Sequence, residues 1–190
     1  MVCNVHFSIT GIWIMESKDL VRKSKYLSLI LRHDPGKAGL TLDEQGWVSV
    51  NTLLKAIKWE LSELKEVVDN NDKKRFEFSE DGRRIRASQG HSIDVDLGYE
   101  IIEPPEFLYH GTSRDNNKGI SELGLLKMER HDVHLFDDKD RALDIAKKRR
   151  RNPCVLTISA KQMSADGYQF KLSTNNVWLT ETVPPKYLIW

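Results

Sequence analysis

Two consecutive prolines, Pro104 and Pro105, stand between Glu103 and Glu106 and divide this chain. Each proline fixes φ at about −65° and lacks an N–H, so the pair forms a stiff, extended connection that is neither helix nor central strand. The spacing of apolar residues differs on its two sides. The chain therefore reads as two parts, 15–102 and 103–190, with residues 1–14 as an extension outside the fold.

Upstream, Leu20, Ser24, Leu27 and Leu31 recur at the intervals that share one helix face. Ser17 is placed to cap that helix, and Pro35-Gly36 to end it just after Arg32-His33. Asp43-Glu44-Gln45-Gly46 reads as a turn and Trp47-Val48 as a short extended piece. Asn51 is expected to cap a helix carrying Leu53, Leu54 and Ile57, and Ser62 one carrying Leu64, Val67 and Val68. Arg75-Phe76-Glu77-Phe78 and Arg83-Arg84-Ile85-Arg86 flank an Asp81-Gly82 turn, a hairpin signal. Phe76, Phe78 and Ile85 are core candidates. Alternation along a strand sends Arg84 and Arg86 to the face opposite Ile85. Three helices and then a β-hairpin is the order of a winged helix.

Downstream, short apolar runs appear: Phe107-Leu108-Tyr109, Val133-His134-Leu135, 155–158, Tyr168-Gln169-Phe170, Val177-Trp178-Leu179 and Tyr187-Leu188-Ile189. Two helical stretches, 116–123 and 137–148, interrupt them. This half is mixed α/β and strand-rich, and the fold class of the whole chain is α+β. Trp47, Trp178 and Trp190 are expected in or near the core.

Charged residues make up 30% of the 190 and hydrophobic ones 39%, the balance of a soluble globular protein. No run is long and apolar enough to span a bilayer, and no membrane partner is expected. The first 14 residues lack the charge, unbroken apolar stretch and cleavage site of a signal peptide. Cys3 and Cys154 are far apart with no ligand-like spacing, which points to a reducing compartment, read as the cytoplasm. The formal net charge of +1 hides two basic runs, Arg83-Arg84 with Arg86, and Lys147 to Arg151.

Four clusters of arginine and histidine are the candidates for chemistry, because guanidinium grips phosphate oxygens and imidazole moves protons near neutral pH. Arg32-His33 reads as a phosphate clamp beside a proton-transfer group, or as a pair capping a helix C-terminus. Arg86 with Gln89-Gly90-His91 reads as a close approach to a ligand, or as an exposed polar wing tip. Tyr109-His110-Gly111-Thr112-Ser113 can hold a ribose or diphosphate, or simply start a helix. In Arg130-His131-Asp132-Val133-His134 the two histidines fall on opposite faces of a strand, so no metal is expected. Arg130 is instead read as reaching a phosphate, with His134 lining a pocket.

Taken together, these segments resemble the NAD-dependent RNA 2′-phosphotransferase family. The resemblance runs from about Ser24 to the C-terminus. It is carried by Leu31-Arg32-His33, Lys73-Lys74-Arg75-Phe76, Ile85-Arg86-Ala87-Ser88-Gln89-Gly90-His91-Ser92, Phe107-Leu108-Tyr109-His110-Gly111-Thr112, Arg130 with Val133-His134-Leu135, and Val177-Trp178-Leu179-Thr180. It implies an N-terminal winged-helix lobe and a C-terminal lobe of the ADP-ribosyltransferase type, with RNA phosphate and NAD meeting in the cleft between them. It implies Arg32, His33, Arg86 and Arg130 as the catalytic set, Gln89 and His91 as further contacts to the substrate phosphate, and His110, Gly111, Thr112 and His134 as NAD-binding residues. NAD is a co-substrate, the partner is a 2′-phosphorylated, tRNA-like RNA, no metal is required, and a monomer suffices. The chain departs from the family pattern at Phe136, in the basic run at Lys147, and in residues 1–14.

The implied reaction has two steps. The RNA 2′-phosphate attacks C1″ of the nicotinamide ribose and expels nicotinamide. The ribose 2″-hydroxyl then attacks the bridging phosphorus, releasing RNA with a free 2′-hydroxyl and ADP-ribose 1″,2″-cyclic phosphate. Two other readings compete: an ADP-ribosyltransferase that stops after the first step, and a non-enzymatic winged-helix regulator that senses NAD.

Overall fold

Leu27, Ile30 and Leu31 lose all contact with water along one stripe of the first helix, α1 (Ser17–Arg32). In the computed structural model, which describes residues 17–71, 73–148 and 151–190, the chain divides after Leu97 into two units. The extension 1–14 lies outside the described residues, as does the side chain of Ser17. Pro104 and Pro105 fall within the second unit.

In the first unit α1 is followed by a 3₁₀ turn, Pro35–Ala38, whose start is capped by Asp34. Then come β1 (Val48–Ser49), α2 (Val50–Ile57), α3 (Leu61–Asp69), β2 (Phe76–Phe78) and β3 (Arg84–Ala87). The strands form one antiparallel sheet in the order β1-β3-β2, with Glu77 opposite Arg86 and Phe76 opposite Ala87. The helices cover one sheet face, burying Leu53, Leu64, Phe76 and Ile85 with the α1 stripe. Each such side chain taken from water contributes about 1.5–3 kcal/mol. Lys23 ties α1 to α3 by a 2.6 Å bond to Glu63.

Two helix starts differ from the sequence expectation. Ser49, not Asn51, caps α2, accepting from the Thr52 N–H. At α3 the first residue is Leu61, and Glu63 reaches back to the Glu60 N–H at 2.8 Å, so Ser62 lies inside the helix. In each case the helix begins upstream of the expected cap, with an apolar residue at its first position.

The second unit holds β4 (Phe107–Ser113), α4 (Asn117–Leu123), β5 (Leu125–Leu126), β6 (Val133–Leu135), α5 (Lys139–Lys147), β7 (Pro153–Ser159), α6 (Ala160–Ala165), β8 (Lys171–Leu172), β9 (Trp178–Thr180), β10 (Thr182–Val183) and β11 (Leu188–Ile189). They make three small sheets, β11-β7-β4, β6-β9-β8 and β10-β5, all antiparallel. A two-bond bridge joins the first two: the Tyr109 N–H donates to Phe136 O at 2.7 Å and the Phe136 N–H to Tyr109 O at 2.9 Å. Leu108, Leu156, Ile158, Leu135 and Trp178 lie in the main core of the unit. Ala142 of α5 packs in a second cluster with Phe136, Val177 and Leu179, and Tyr109 and Val155 lean against it.

The strand expected at Tyr168–Phe170 is displaced to Lys171–Leu172, and Phe170 serves as a buried plug instead. Trp178 is buried as expected and Trp47 is half-buried, but Trp190 is 60% exposed and packs in no core. Of the basic run, Lys147 closes α5, and residues 149 and 150 lie outside the described residues. No described helix is long and apolar enough to cross a membrane.

Gly111 sits where α5 touches β4. A Cβ there would land on the carbonyl oxygen of Ala142 and lie 3.1 Å from Ala146 Cβ. Gly111→Ala should therefore force the helix backbone off the strand and cost about 3 kcal/mol. Gly82, at φ 68° with nothing within 4 Å, meets no neighbour. Gly82→Ala should cost only the left-handed backbone strain, about 1 kcal/mol. Urea denaturation of the two variants checks the ordering.

Candidate functional site

The C-terminus of α1 gathers the first group of candidate residues. Arg32, its last residue, turns its guanidinium away from the helix: Nη2 donates to the Arg75 carbonyl at 3.2 Å, and the group stands 6.0 Å from the Phe76 ring centre. The Ser88 N–H donates to the same carbonyl at 2.9 Å. The Ser92 N–H donates to the Arg32 carbonyl at 2.9 Å, and Ser92 Oγ shares a 2.9 Å hydrogen bond with His33 Nδ1. The segment after β3 is thus strapped to the end of α1 by two bonds from one serine. Arg32 is 8% exposed, whereas His33 stays exposed.

Arg75, which the sequence reading left without a role, is the residue brought against Arg32. It is half-buried, and its own Nη1 donates to Asn71 Oδ1 at 3.3 Å. The signal for it was present in Lys73-Lys74-Arg75-Phe76, but nothing in that tetrapeptide says whose carbonyl Arg32 meets.

Arg86 is differently occupied. Its Nε meets Glu77 Oε1 at 2.6 Å, its Nη1 donates to Leu97 O at 3.0 Å and Gln45 O at 3.3 Å, and Trp47 stacks on it at 4.4 Å. Alternation placed it correctly on the face opposite Ile85, but Trp47 and the chain around Leu97 cover that face. Arg84, its neighbour on the same strand, is exposed and reaches Asp43 at 3.6 Å. Gln89 and Gly90 are half-buried, and His91 is 2% exposed, its Nε2 beside Gly46. The segment is therefore not an exposed wing tip; the tip of the hairpin is Glu80–Arg83.

In the second unit, His110, Gly111 and Thr112 lie inside β4 rather than at its end. The His110 Nδ1–H donates to the His134 carbonyl at 2.9 Å. A carbonyl only accepts, so the proton of this ring is on Nδ1. Arg130 Nη1 donates to His134 Nδ1 at 3.0 Å, which requires that nitrogen to be unprotonated. Arg130, His134 and His110 thus form one chain of contacts. Thr112 is buried and accepts from Asn116 Nδ2 at 3.2 Å. Gly111 gives its Cβ space to α5, a packing reason for glycine at that position.

Arg130 is carried by a tight loop. Its N–H donates to Lys127 O at 3.1 Å, Lys127 pairs with Glu181 at 3.0 Å, and Met128 between them adopts φ 54° with 80% exposure. Burial pushes the Asp132 carboxyl above the usual aspartate range, against the opposing pull of Lys171. Among the described residues, no group of three or more His, Cys, Asp and Glu side chains is placed to hold a metal ion.

The chemistry available is that of an anion site: a nearly buried guanidinium and an exposed imidazole at one helix end in the first unit, and a guanidinium–imidazole chain in the second. Residues 18–182 match the sequence profile of the RNA 2′-phosphotransferase, Tpt1 / KptA family. Relatives carry the same description. The "Probable RNA 2′-phosphotransferase" of Flavobacterium johnsoniae is 51% identical over 170 residues, covering 87% of this chain and 93% of the relative. That of Burkholderia pseudomallei is 48% identical over 172 residues, 88% and 93% of the two chains. That of Rhodopirellula baltica is 49% identical over 177 residues, 90% and 96%. The chain belongs to this family of transferases.

Two measurements follow from the geometry. Arg86→Ala strands Glu77, and should lower stability by about 3 kcal/mol in urea denaturation, with part recovered by Arg86→Met combined with Glu77→Leu. An aspartate whose folded-state pKa is raised stabilises the fold below its unfolded value and loses that contribution as pH rises through the folded value. Asp132→Asn should therefore be the more stable protein at pH 7, and the gain should vanish in acid below the ordinary value of 3.8.

Proposed function

We propose that this chain is an NAD-dependent RNA 2′-phosphotransferase. In this reading the first unit is a winged-helix lobe that binds the 2′-phosphate of a tRNA-like RNA. The second unit is a lobe of the ADP-ribosyltransferase type that binds NAD, and the protein works in the cytoplasm. The observation that carries the reading is the match to the family over residues 18–182, joined to the gathering of Arg32, His33 and Arg75 at one helix end.

Arg32 and Arg75 supply fixed positive charge to the phosphoryl oxygens, and His33 exchanges the proton that a leaving or attacking oxygen must gain or lose. Arg75 takes the place first given to Arg86. A phosphate could recruit Arg86 only by displacing the Glu77 carboxylate and two carbonyls from a buried guanidinium, at a cost of several kcal/mol. In the second unit the cationic Arg130 and the ring edges of His110 and His134 suit the diphosphate and ribose of a dinucleotide. Gly111 and Thr112 shape the strand that carries His110.

The 2′-phosphate oxygen forms a bond to C1″ of the nicotinamide ribose as the C1″–nicotinamide bond breaks. The 2″-hydroxyl then loses its proton and bonds to phosphorus. The RNA 2′-oxygen departs and takes up a proton, leaving ADP-ribose 1″,2″-cyclic phosphate. Charge grows on the phosphoryl oxygens in the second step, so the arginines matter most there.

Incubation of a short 2′-phosphorylated RNA with and without NAD, resolving RNA and nucleotide products, tests the reading. Loss of the 2′-phosphate only when NAD is present, together with cyclic-phosphate ADP-ribose, is the expected outcome. Arg32→Ala and Arg130→Ala should slow the second step more than the first and accumulate RNA-linked phospho-ADP-ribose. ADP-ribosylated RNA as the final wild-type product would indicate a transferase that stops after step one. Absence of NAD consumption would sink the enzyme reading.

A further inference from the structure

Asn71 follows α3 and is 7% exposed, yet it is a polar side chain with both donor and acceptor ends in use. Its Nδ2 donates to Ser24 Oγ at 2.7 Å. Ser24 lies two helical turns before Arg32 on α1, on the same side of the helix. Asn71 Oδ1 accepts from the Lys73 N–H at 3.3 Å, the Arg75 N–H at 3.2 Å and Arg75 Nη1 at 3.3 Å. Its backbone carbonyl accepts from the Lys74 N–H at 2.9 Å, and Lys74 takes the left-handed conformation at φ 41°.

We propose that Asn71 is a positioning residue for the phosphate-binding guanidinium groups, an inference that rests on the phosphate reading above. One amide does two jobs. Its oxygen holds the backbone and the guanidinium of Arg75, and so fixes the carbonyl to which Arg32 donates. Its NH₂ pins that assembly to α1, the helix that carries Arg32. Aspartate offers the acceptor without the NH₂ donor, and alanine offers neither. The left-handed Lys74 costs about 1 kcal/mol and persists because surrounding bonds over-determine it, so without Asn71 these residues relax. The Arg75 guanidinium, and the carbonyl that Arg32 meets, would then lose their fixed positions while the core beneath stays intact.

The test compares wild type, Asn71→Ala and Ser24→Ala as full chains. Side-chain ¹⁵N NMR reads hydrogen exchange at the guanidinium groups of Arg32, Arg75 and Arg86, with Arg86 as the internal reference because it is held by Glu77 and not by Asn71. Asn71→Ala should speed exchange at Arg32 and Arg75 about tenfold or more and leave Arg86 unchanged. Ser24→Ala, which cuts only the tie to α1, should give a smaller change in the same pattern. The affinity ratio for a 2′-phosphorylated RNA dinucleotide over its 2′-hydroxyl form should fall about tenfold in Asn71→Ala, with binding of the 2′-hydroxyl form unchanged. Exchange that stays at wild-type values, or that rises equally at all three arginines, overturns the proposal. Equal binding of both dinucleotides by wild type would sink the phosphate reading instead, and the exchange pattern would still decide the role of Asn71.

Discussion

A guanidinium taken out of water must find oxygens, and the first unit is arranged around that demand. Arg32 and Arg86 are both nearly buried, and each is met by a different solution. Arg86 is given a carboxylate, two carbonyls and an indole face, which neutralise it and lock the hairpin to the turn before β1. Arg32 donates to the carbonyl of Arg75 at 3.2 Å and lies over the Phe76 ring.

The second unit solves a different problem, that of holding two histidines in defined proton states on small sheets. Backbone does most of it. The Tyr109–Phe136 bridge fixes β4 against β6, and the His110–His134 contact runs beside it through a carbonyl rather than a side chain. Arg130 then sets the tautomer of His134 through Nδ1. Phe136 is buried in this crossing, and Arg141 stacks on it at 5.1 Å while binding the carbonyls of Asn175 and Asn176. Its bulk is absorbed by α5 and the 173–177 loop.

Much of this architecture was readable from residue spacing. The α1 stripe, the Asp81-Gly82 hairpin and the long strands of the second unit all carry periodicity over several residues. What escaped was either too short to have a period, such as β5, β10 and α6, or set by tertiary contact. Helix caps were misplaced because Ser49 and Glu60 precede helices that open on apolar residues, so a search for a polar residue within the stripe stops too late. Within the site, Arg32, His33, Arg130 and His134 were singled out from local clusters, and the contacts Arg32–Arg75 and Arg130–His134 give them partners. The covering of Arg86 by Trp47 and the span from Asn71 to Ser24 link residues dozens of positions apart, which no local pattern encodes.

Of the two methionines with described surroundings, Met163 is sealed at 0% exposure and Met128 stands open at 80%. A peroxide therefore meets the thioether of the Arg130 loop and is shut out of the other. The sulfoxide formed there would set a polar, chiral group two residues from Arg130 without disturbing the core. The loop that carries Arg130 thus wears an oxidisable sulfur on its outer edge.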